Sequence, residues 1–162
     1  MNNIRYRVSL KIDTFFEILN NIKNLSVSQT KKVACIAVKK DFSKIASFGY
    51  NGSFSGDFIK DETGGEETSL VPGESGFIHA EINMVAKFAE QNPHEYIVLL
   101  TLSPCETCTK VLINAGFRYV YWLEDYREVK HQKYFDISGI RNGFIDHLKQ
   151  DYEKYVCQPK SF

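Results

Sequence analysis

Residues 96–123 read YIVLLTL-SPCETCTKVLINAG-FRYVYWL: an apolar run, a segment with a polar start, and a second apolar run. Tyr96–Leu102 and Arg118–Leu123 are short and rich in aliphatic and aromatic side chains, which favours two buried strands. Between them, Pro104 can open a helix and Gly116 can end it. A strand, a helix and a second strand in this order form a right-handed crossover with parallel strands. The stretch therefore predicts an α/β fold.

Upstream of this unit, the sequence predicts a helix, a hairpin and a second helix. Apolar side chains at helical spacing place the first helix over about residues 13–24, and two β-branched runs at 33–38 and 44–49 form the hairpin. The second helix covers 79–90. The residues expected on its apolar face are Ile82, Val85, Ala86 and Ala89. This order of elements predicts a three-layer α/β/α sandwich around a central mixed sheet of about five strands.

Weaker patterns follow Tyr126. Residues 128–137 look helical, 143–148 could form an edge strand, and 151–155 a final turn. With 162 residues, 43% of them hydrophobic, the chain is expected to form one domain over residues 1–162. Residues 50–76 are rich in Gly, Ser, Thr and acidic side chains, which predicts one long acidic loop of a length typical of lids and binding segments.

Composition excludes several classes of function. Lys+Arg 20 against Asp+Glu 20 gives a formal net charge of +0, whereas a protein that binds polynucleotides usually carries a basic surplus. No apolar run approaches the roughly 20 residues needed to cross a bilayer, and no secretion signal is visible. The sequence therefore predicts a soluble, cytoplasmic protein without a membrane or a stable nucleic-acid partner.

The four cysteines are too unevenly spread for a disulfide scaffold, and Cys105 and Cys108 form a CxxC. That motif alone could be a redox pair, a metal site or two ordinary buried side chains. His79 and Glu81 start the preceding predicted helix, and the strand between the two helices brings both helix starts to one end of the sheet. One histidine and two thiolates are three ligands, and a catalytic zinc keeps its fourth position for water. Glu81 is then the candidate proton shuttle.

His-x-Glu followed by Pro-Cys-x-x-Cys is a known signature of zinc-dependent nucleobase deaminases. Here it reads His79-Ala-Glu81 and Pro104-Cys-Glu-Thr-Cys108. The chain resembles the cytidine/deoxycytidylate deaminase superfamily, and within it the deoxycytidylate (dCMP) branch, through GYNG at 49–52, HAEIN at 79–83, the segment 101–116 and Glu124-Asp-Tyr-Arg127 after the next strand. It departs from the usual pattern at Phe54 and Met84, where relatives have Pro and Ala.

The resemblance implies hydrolytic deamination of dCMP to dUMP, which supplies the dTMP precursor. Zn²⁺ would be held by His79, Cys105 and Cys108, and the zinc-activated water would attack C4 of cytosine. Glu81 would protonate N3 and later the departing ammonia.

Four further residues are expected to contact the substrate. The Ala80 N–H would bind the pyrimidine O2 and the Ser103 carbonyl the 4-amino group. Asn51 would contact the sugar or base edge, unless it is only a turn residue beside Gly52. Tyr126 would lie beside the nucleotide, unless it covers the core.

Three alternatives stay open at this stage: a dCMP deaminase, a deaminase of another cytosine substrate (dCTP, cytidine, deoxycytidine or a base in single-stranded nucleic acid), and a noncatalytic zinc-binding module. Glu81 argues against the last, because a structural site needs no proton shuttle.

Three basic residues are candidates for a phosphate pocket, and the sequence does not rank them: Lys110, Arg118 and Arg127. The resemblance also implies a homo-oligomer and a dCTP or dTTP effector site, with Mg²⁺, near Tyr50, Asn51 and Gly52.

Overall fold

The computed structural model describes residues 2–56, 76–127, 129–152 and 154. Its centre is a five-stranded sheet in the order β2-β1-β3-β4-β5. The strands are β1 (Ala34–Lys39), β2 (Ile45–Tyr50), β3 (Tyr96–Leu102), β4 (Tyr119–Glu124) and β5 (Arg141–Phe144). The fold class and the hairpin are confirmed, and β3 and β4 pair in parallel as the sequence predicts.

Strand direction decides where the loops collect. β1 pairs antiparallel with both β2 and β3, while β4 pairs in parallel with β3 and β5. Hence β2, β3, β4 and β5 all run the same way, and their carboxyl ends share one edge of the sheet. We call this the carboxyl edge; Tyr50, Leu102 and Glu124 end their strands there.

Five helices cover the sheet: α1 (Asn2–Ile22), α2 (Ala80–Lys87), α3 (Glu106–Asn114), α4 (His131–Ser138) and α5 (Ile145–Asp151). Alternate residues of the strands point to opposite faces. On one face α1 and α5 bury Ile12, Leu19 and Leu148 against Ile36 and Leu99. On the other face α2, α3 and α4 bury Met84, Leu112 and Phe135 against Val98 and Val120. The predicted three layers are therefore present.

Two predicted boundaries are wrong. The first helix begins at Asn2 rather than near residue 13, because Val8 continues the apolar stripe onto the core. The segment 143–148 is not an edge strand: β5 ends at Phe144 and α5 follows at once. The Phe144 N–H donates to Nδ1 of His147, which caps the new helix, and the fully buried Leu148 anchors it to the core.

The apolar face predicted for α2 is only partly right: Val85 is half-buried against the core. The buried residues of α2 are Ala80, Glu81 and Met84, whereas Ala86 and Ala89 are exposed. The helix ends at Lys87, three residues early. Phe88 leaves the helix and packs edge-on against Tyr96 and Phe117. α2 therefore lies on the sheet through its first turn, which carries the candidate chemistry.

Most of the predicted acidic loop, residues 57–75, lies outside the described residues, as do Cys157 and the end of the predicted turn at 151–155. The two ends of that loop are joined by an antiparallel bridge between Gly52 and Ile78. None of the helices in the described parts of the chain is long and apolar enough to cross a membrane.

Candidate active site

The two cysteines stand at the start of α3, directly beyond the carboxyl end of β3. Cys105 is the N-cap residue, and its Sγ accepts the Cys108 N–H at 3.5 Å. The N-terminal N–H groups of a helix stabilise a thiolate. A hydrogen bond from the Cys108 thiol lowers the pKa of Cys105 to about 4, while that bond and burial raise the pKa of Cys108. The helix start thus favours negative charge on this sulfur pair.

His79 faces the cysteines from the start of α2. It is the N-cap residue, but its side chain makes no capping hydrogen bond. Instead Nδ1 lies 3.5 Å from the Cys105 Sγ and 3.3 Å from the Cys108 Sγ. The hydrogen bond to Cys105 raises the pKa of His79. The order of elements predicts that both helix starts lie at one end of the sheet, and the structure adds the short distances between the ligand atoms.

These three side chains fit a zinc ion. Their ligand atoms all lie within 4.8 Å of one another. A tetrahedral zinc, with bonds of about 2.3 Å to sulfur and 2.0 Å to nitrogen, holds sulfur and nitrogen about 3.5 Å apart. The two sulfur–nitrogen distances agree with that value. A donor set of one imidazole and two thiolates leaves a fourth position for water or substrate, as catalytic zinc sites do.

Glu81 is the buried carboxyl of this site. It is only 4% exposed, although it lies in the first turn of a helix where a surface acid would be ordinary. Burial raises the pKa of Glu81 to about 7. Its charge also acts on Cys35 and Cys108, which places it between the apolar layer and the sulfur pair. A carboxyl that can gain or lose a proton near neutral pH suits general acid–base catalysis.

Asn51, predicted to contact substrate, is held mainly by the protein. Its Oδ1 accepts the Val33 N–H and the Ser26 hydroxyl, each at 2.8 Å, and its Nδ2 donates to the Lys31 carbonyl at 2.9 Å. The side chain therefore ties the segment before β1 to the end of β2. Among the described residues, only one of its two Nδ2–H donors has a partner, so a ligand could use the other as a donor.

Ser103 and Tyr126 are brought together at the ends of β3 and β4. The Ser103 N–H donates to the Glu124 carbonyl at 2.8 Å, and the Ser103 hydroxyl accepts the Tyr126 N–H at 2.7 Å. The Trp122 indole donates to the Asp125 carboxylate at 2.9 Å. These three bonds fix the turn after β4, which we define as residues 124–127, against the residue that precedes Pro104.

Two residues of the site were not singled out by the sequence. Gly49 lies under α2, and a Cβ there would meet the Ala80 carbonyl oxygen at 2.2 Å and the Met84 nitrogen at 2.5 Å. Asn83 donates from Nδ2 to the Tyr50 carbonyl at 2.9 Å. Both lie within the quoted GYNG and HAEIN motifs, but what they contact depends on the distance between β2 and α2.

A comparison with known protein families matches the part of the chain that contains the candidate site. The family described as "Cytidine and deoxycytidylate deaminase zinc-binding region" matches residues 11–124, which include all three candidate ligands and Glu81. This chain belongs to that family. It is therefore a zinc-dependent deaminase, a hydrolase, and the alternative of a noncatalytic zinc-binding module is set aside.

Individual relatives agree with the family. A "Probable deoxycytidylate deaminase" of Caenorhabditis elegans is 27% identical over 156 residues, covering 94% of this chain and 73% of the relative. Another of Drosophila melanogaster is 26% identical over 141 residues, covering 82% and 65%. The crystal structure of dCMP deaminase from the cyanophage S-TIM5, in complex with dCMP and dUMP, superposes with a TM-score of 0.66. It is 24% identical and covers 82% of this chain and 94% of the phage chain.

Proposed function

We propose that this chain converts dCMP to dUMP by hydrolytic deamination. The observation that carries the proposal is the meeting of His79, Cys105 and Cys108 beside the buried carboxyl of Glu81. The GYNG and HAEIN motifs and the names of the relatives support the monophosphate deoxynucleotide as substrate.

His79, Cys105 and Cys108 would hold the zinc ion, which supplies Lewis acidity and makes water a stronger nucleophile when bound. Glu81 would move the protons: it accepts one from the attacking water and gives it to N3 of cytosine, then takes the second from the new C4 hydroxyl and gives it to the 4-amino group. The C4–N bond breaks, ammonia leaves, and C4 keeps the oxygen. The carboxyl suits both steps because its pKa of about 7 lets it donate and accept near neutral pH.

The substrate contacts are part of the same proposal. The Ala80 N–H belongs to the first turn of α2, whose N–H groups have no partner inside the helix, so it can bind the pyrimidine O2. The Ser103 carbonyl would accept the 4-amino group. The second Nδ2–H of Asn51 would bind a sugar oxygen, and Tyr126 would lie beside the nucleotide. All four residues lie at the carboxyl edge.

Direct assay tests the substrate. The purified protein is incubated with deoxycytidine, dCMP, dCTP, cytidine, CMP and single-stranded DNA, and ammonia and the uracil product are measured. We expect the highest kcat/KM with dCMP, since a bound phosphate adds binding energy that acts at the reacting base. Equal turnover of deoxycytidine would point to a nucleoside deaminase. Preference for the oligonucleotide would overturn the free-nucleotide assignment.

We further propose that the chain forms a homo-oligomer. An effector site for dCTP or dTTP, with Mg²⁺, would lie near Tyr50, Asn51 and Gly52. The bridge from Gly52 to Ile78 ends one residue before His79, so a ligand on this loop could act on the zinc site. Saturation curves with dCMP, recorded with dCTP plus Mg²⁺, with dTTP and without either, test this idea alongside a sizing measurement. Identical hyperbolic curves from a monomer would refute it.

A further inference from the structure

The fold ranks the three basic residues that the sequence left as equal candidates for the substrate phosphate. Arg118 precedes β4, so the whole length of that strand separates it from the carboxyl edge. Six residues at about 3.3 Å each are about 20 Å. Its guanidinium donates instead to the Phe117 carbonyl at 3.0 Å. Arg118 is therefore at the wrong end of the sheet to contact a nucleotide at the zinc site.

Lys110 lies two residues after Cys108, but its charge is already paired with a carboxylate. Its Nζ lies 2.7 Å from the Glu106 carboxylate, and the same oxygen accepts the Tyr134 hydroxyl at 2.5 Å. The ammonium also sits 4.7 Å from the centre of the Tyr134 ring. The hydrogen bonds from Lys110 and Tyr134 lower the pKa of Glu106, so a charged carboxylate faces the lysine at neutral pH. A phosphate would have to compete with a carboxylate held in place by two donors.

Arg127 differs from both. It ends the turn of residues 124–127 at the carboxyl edge, and its side chain is exposed. No carboxylate in the described part of the chain forms an ion pair with it. The guanidinium carbon lies 5.4 Å from the centre of the Tyr126 ring, so the aromatic side chain supports the cation.

The turn beneath Arg127 is rigidly attached. The Tyr126 N–H is bound to the Ser103 hydroxyl, and Asp125 is bound to the Trp122 indole. Ser103 is two residues before the candidate ligand Cys105, so the turn is fixed relative to the zinc site. The backbone that carries Arg127 is therefore anchored, and its guanidinium can bind two phosphate oxygens at once, which an ammonium cannot do in the same way.

We infer that Arg127 binds the 5′-phosphate of the substrate and so selects nucleotide over nucleoside. This inference rests on the proposed function, because it assumes that a cytosine nucleotide occupies the site. Arg127 is a specificity-determining residue here and takes no part in the chemistry at C4.

The test compares Arg127→Gln with Arg118→Gln, a matched loss of one arginine at the opposite end of the sheet. kcat/KM is measured for dCMP and for deoxycytidine, and calorimetry measures the affinity for dUMP and deoxyuridine. For Arg127→Gln we expect kcat/KM with dCMP to fall about 10- to 100-fold, mainly through KM, since a charged hydrogen-bonded contact is lost. Activity on deoxycytidine should not change. Arg118→Gln should match the wild type on both substrates.

The outcomes separate this inference from the proposed function. If wild type deaminates dCMP and Arg127→Gln does so equally well, Arg127 is not the phosphate residue and the enzyme assignment stands. If activity on dCMP and deoxycytidine falls by the same factor, Arg127 acts through the structure of the turn, which also overturns the inference. If wild type does not deaminate dCMP, the proposed function fails. The calorimetric comparison of dUMP with deoxyuridine then decides the inference by itself.

Discussion

The face of the sheet covered by α1 and α5 and the face covered by α2, α3 and α4 bury side chains of similar kind, but their polar groups differ. On the α1 face, the buried phenols are satisfied: Tyr121 donates to Asp151 at 2.8 Å and Tyr152 to the Lys40 carbonyl at 2.6 Å. On the α2 face, the apolar layer runs into Glu81, whose burial favours the protonated form.

The difference separates stability from function. A buried carboxyl costs free energy unless hydrogen bonds or charges compensate for it, so a fold that needed only stability would place an apolar residue there. Residues that break the rules of good packing, such as a buried carboxyl, are found mainly at functional sites. Substitutions on the α1 face should therefore change the free energy of unfolding, and substitutions at the carboxyl edge of the α2 face should change catalysis.

Cys105→Ala should have the largest effect. Two ligands remain, so we expect zinc content to fall from about one ion per chain to nearly none and deamination to be lost. Elemental analysis and an ammonia assay measure both. Cys35→Ala is the matched control, because Cys35 is a buried cysteine of the same face outside the ligand set. Loss of zinc in that control and not in Cys105→Ala would reverse the ligand assignment.

Glu81→Gln should keep zinc and lose turnover. The amide has nearly the same shape but cannot transfer the proton, so kcat should drop by about 10²- to 10⁴-fold. The midpoint of thermal unfolding should stay equal or rise, since the variant no longer buries an ionisable group. Glu106→Gln, in the first turn of α3 but only half-buried, is the control for zinc and turnover. A near-normal rate in Glu81→Gln would exclude it as the proton shuttle.

Leu19→Ala tests the opposite face. Leu19 is fully buried between α1 and the sheet, and removing its side chain should cost about 2–5 kcal/mol of unfolding free energy. Urea titration measures this loss, with Leu10→Ala, 53% exposed on the same helix, as control. The kcat/KM of the folded variant should equal that of wild type. A selective loss of activity without loss of stability would break the distinction between the two faces.

Gly49→Ala should affect stability and activity together, because Gly49 is where the sheet touches α2. The new Cβ would overlap the Ala80 carbonyl oxygen, and α2 must shift away, at a cost of about 1–3 kcal/mol. His79 and Glu81 move with it, so kcat/KM should also fall. Gly52→Ala is the control, because no atom of the described residues lies within 4 Å of the added Cβ. Unchanged zinc content and activity in Gly49→Ala would show that α2 can adapt.

Lys31→Ala should have the smallest effect. Lys31 and Glu124 form an ion pair of 2.7 Å at the carboxyl edge, but their side chains are 54% and 58% exposed. Exposed pairs contribute about 0–1 kcal/mol and less at high salt. Lys31 lowers the pKa of Glu124, so any stability it adds is present at neutral pH and is lost as the pH falls through that lowered pKa. Urea titrations at two salt concentrations should show a difference only at the lower one.

The errors in reading α2 have a physical cause. Hydrophobic periodicity assigns Ala86 and Ala89 to the inside and Glu81 to the outside, whereas the structure exposes both alanines and buries Glu81. Gly49 lets the backbone of α2 come close to β2, and at that distance the first turn, with Ala80 and Glu81, faces the sheet. The pattern of residues 143–148 predicts a strand because local propensity does not show the helix that begins after Phe144. That helix start depends on one contact, the hydrogen bond from the Phe144 N–H to His147.

The sequence by itself determined the elements from β3 to β4 and the candidate metal ligands, because strand runs, helix caps and i, i+3 spacing are local properties. Only the tertiary structure decided the rest: the distances at which His79 meets the two sulfurs, the burial of Glu81, and the place of Arg127 rather than Arg118 at their edge of the sheet. Those facts depend on strand direction and on the distance between packed layers. Both are set by the whole core, and no short segment contains them.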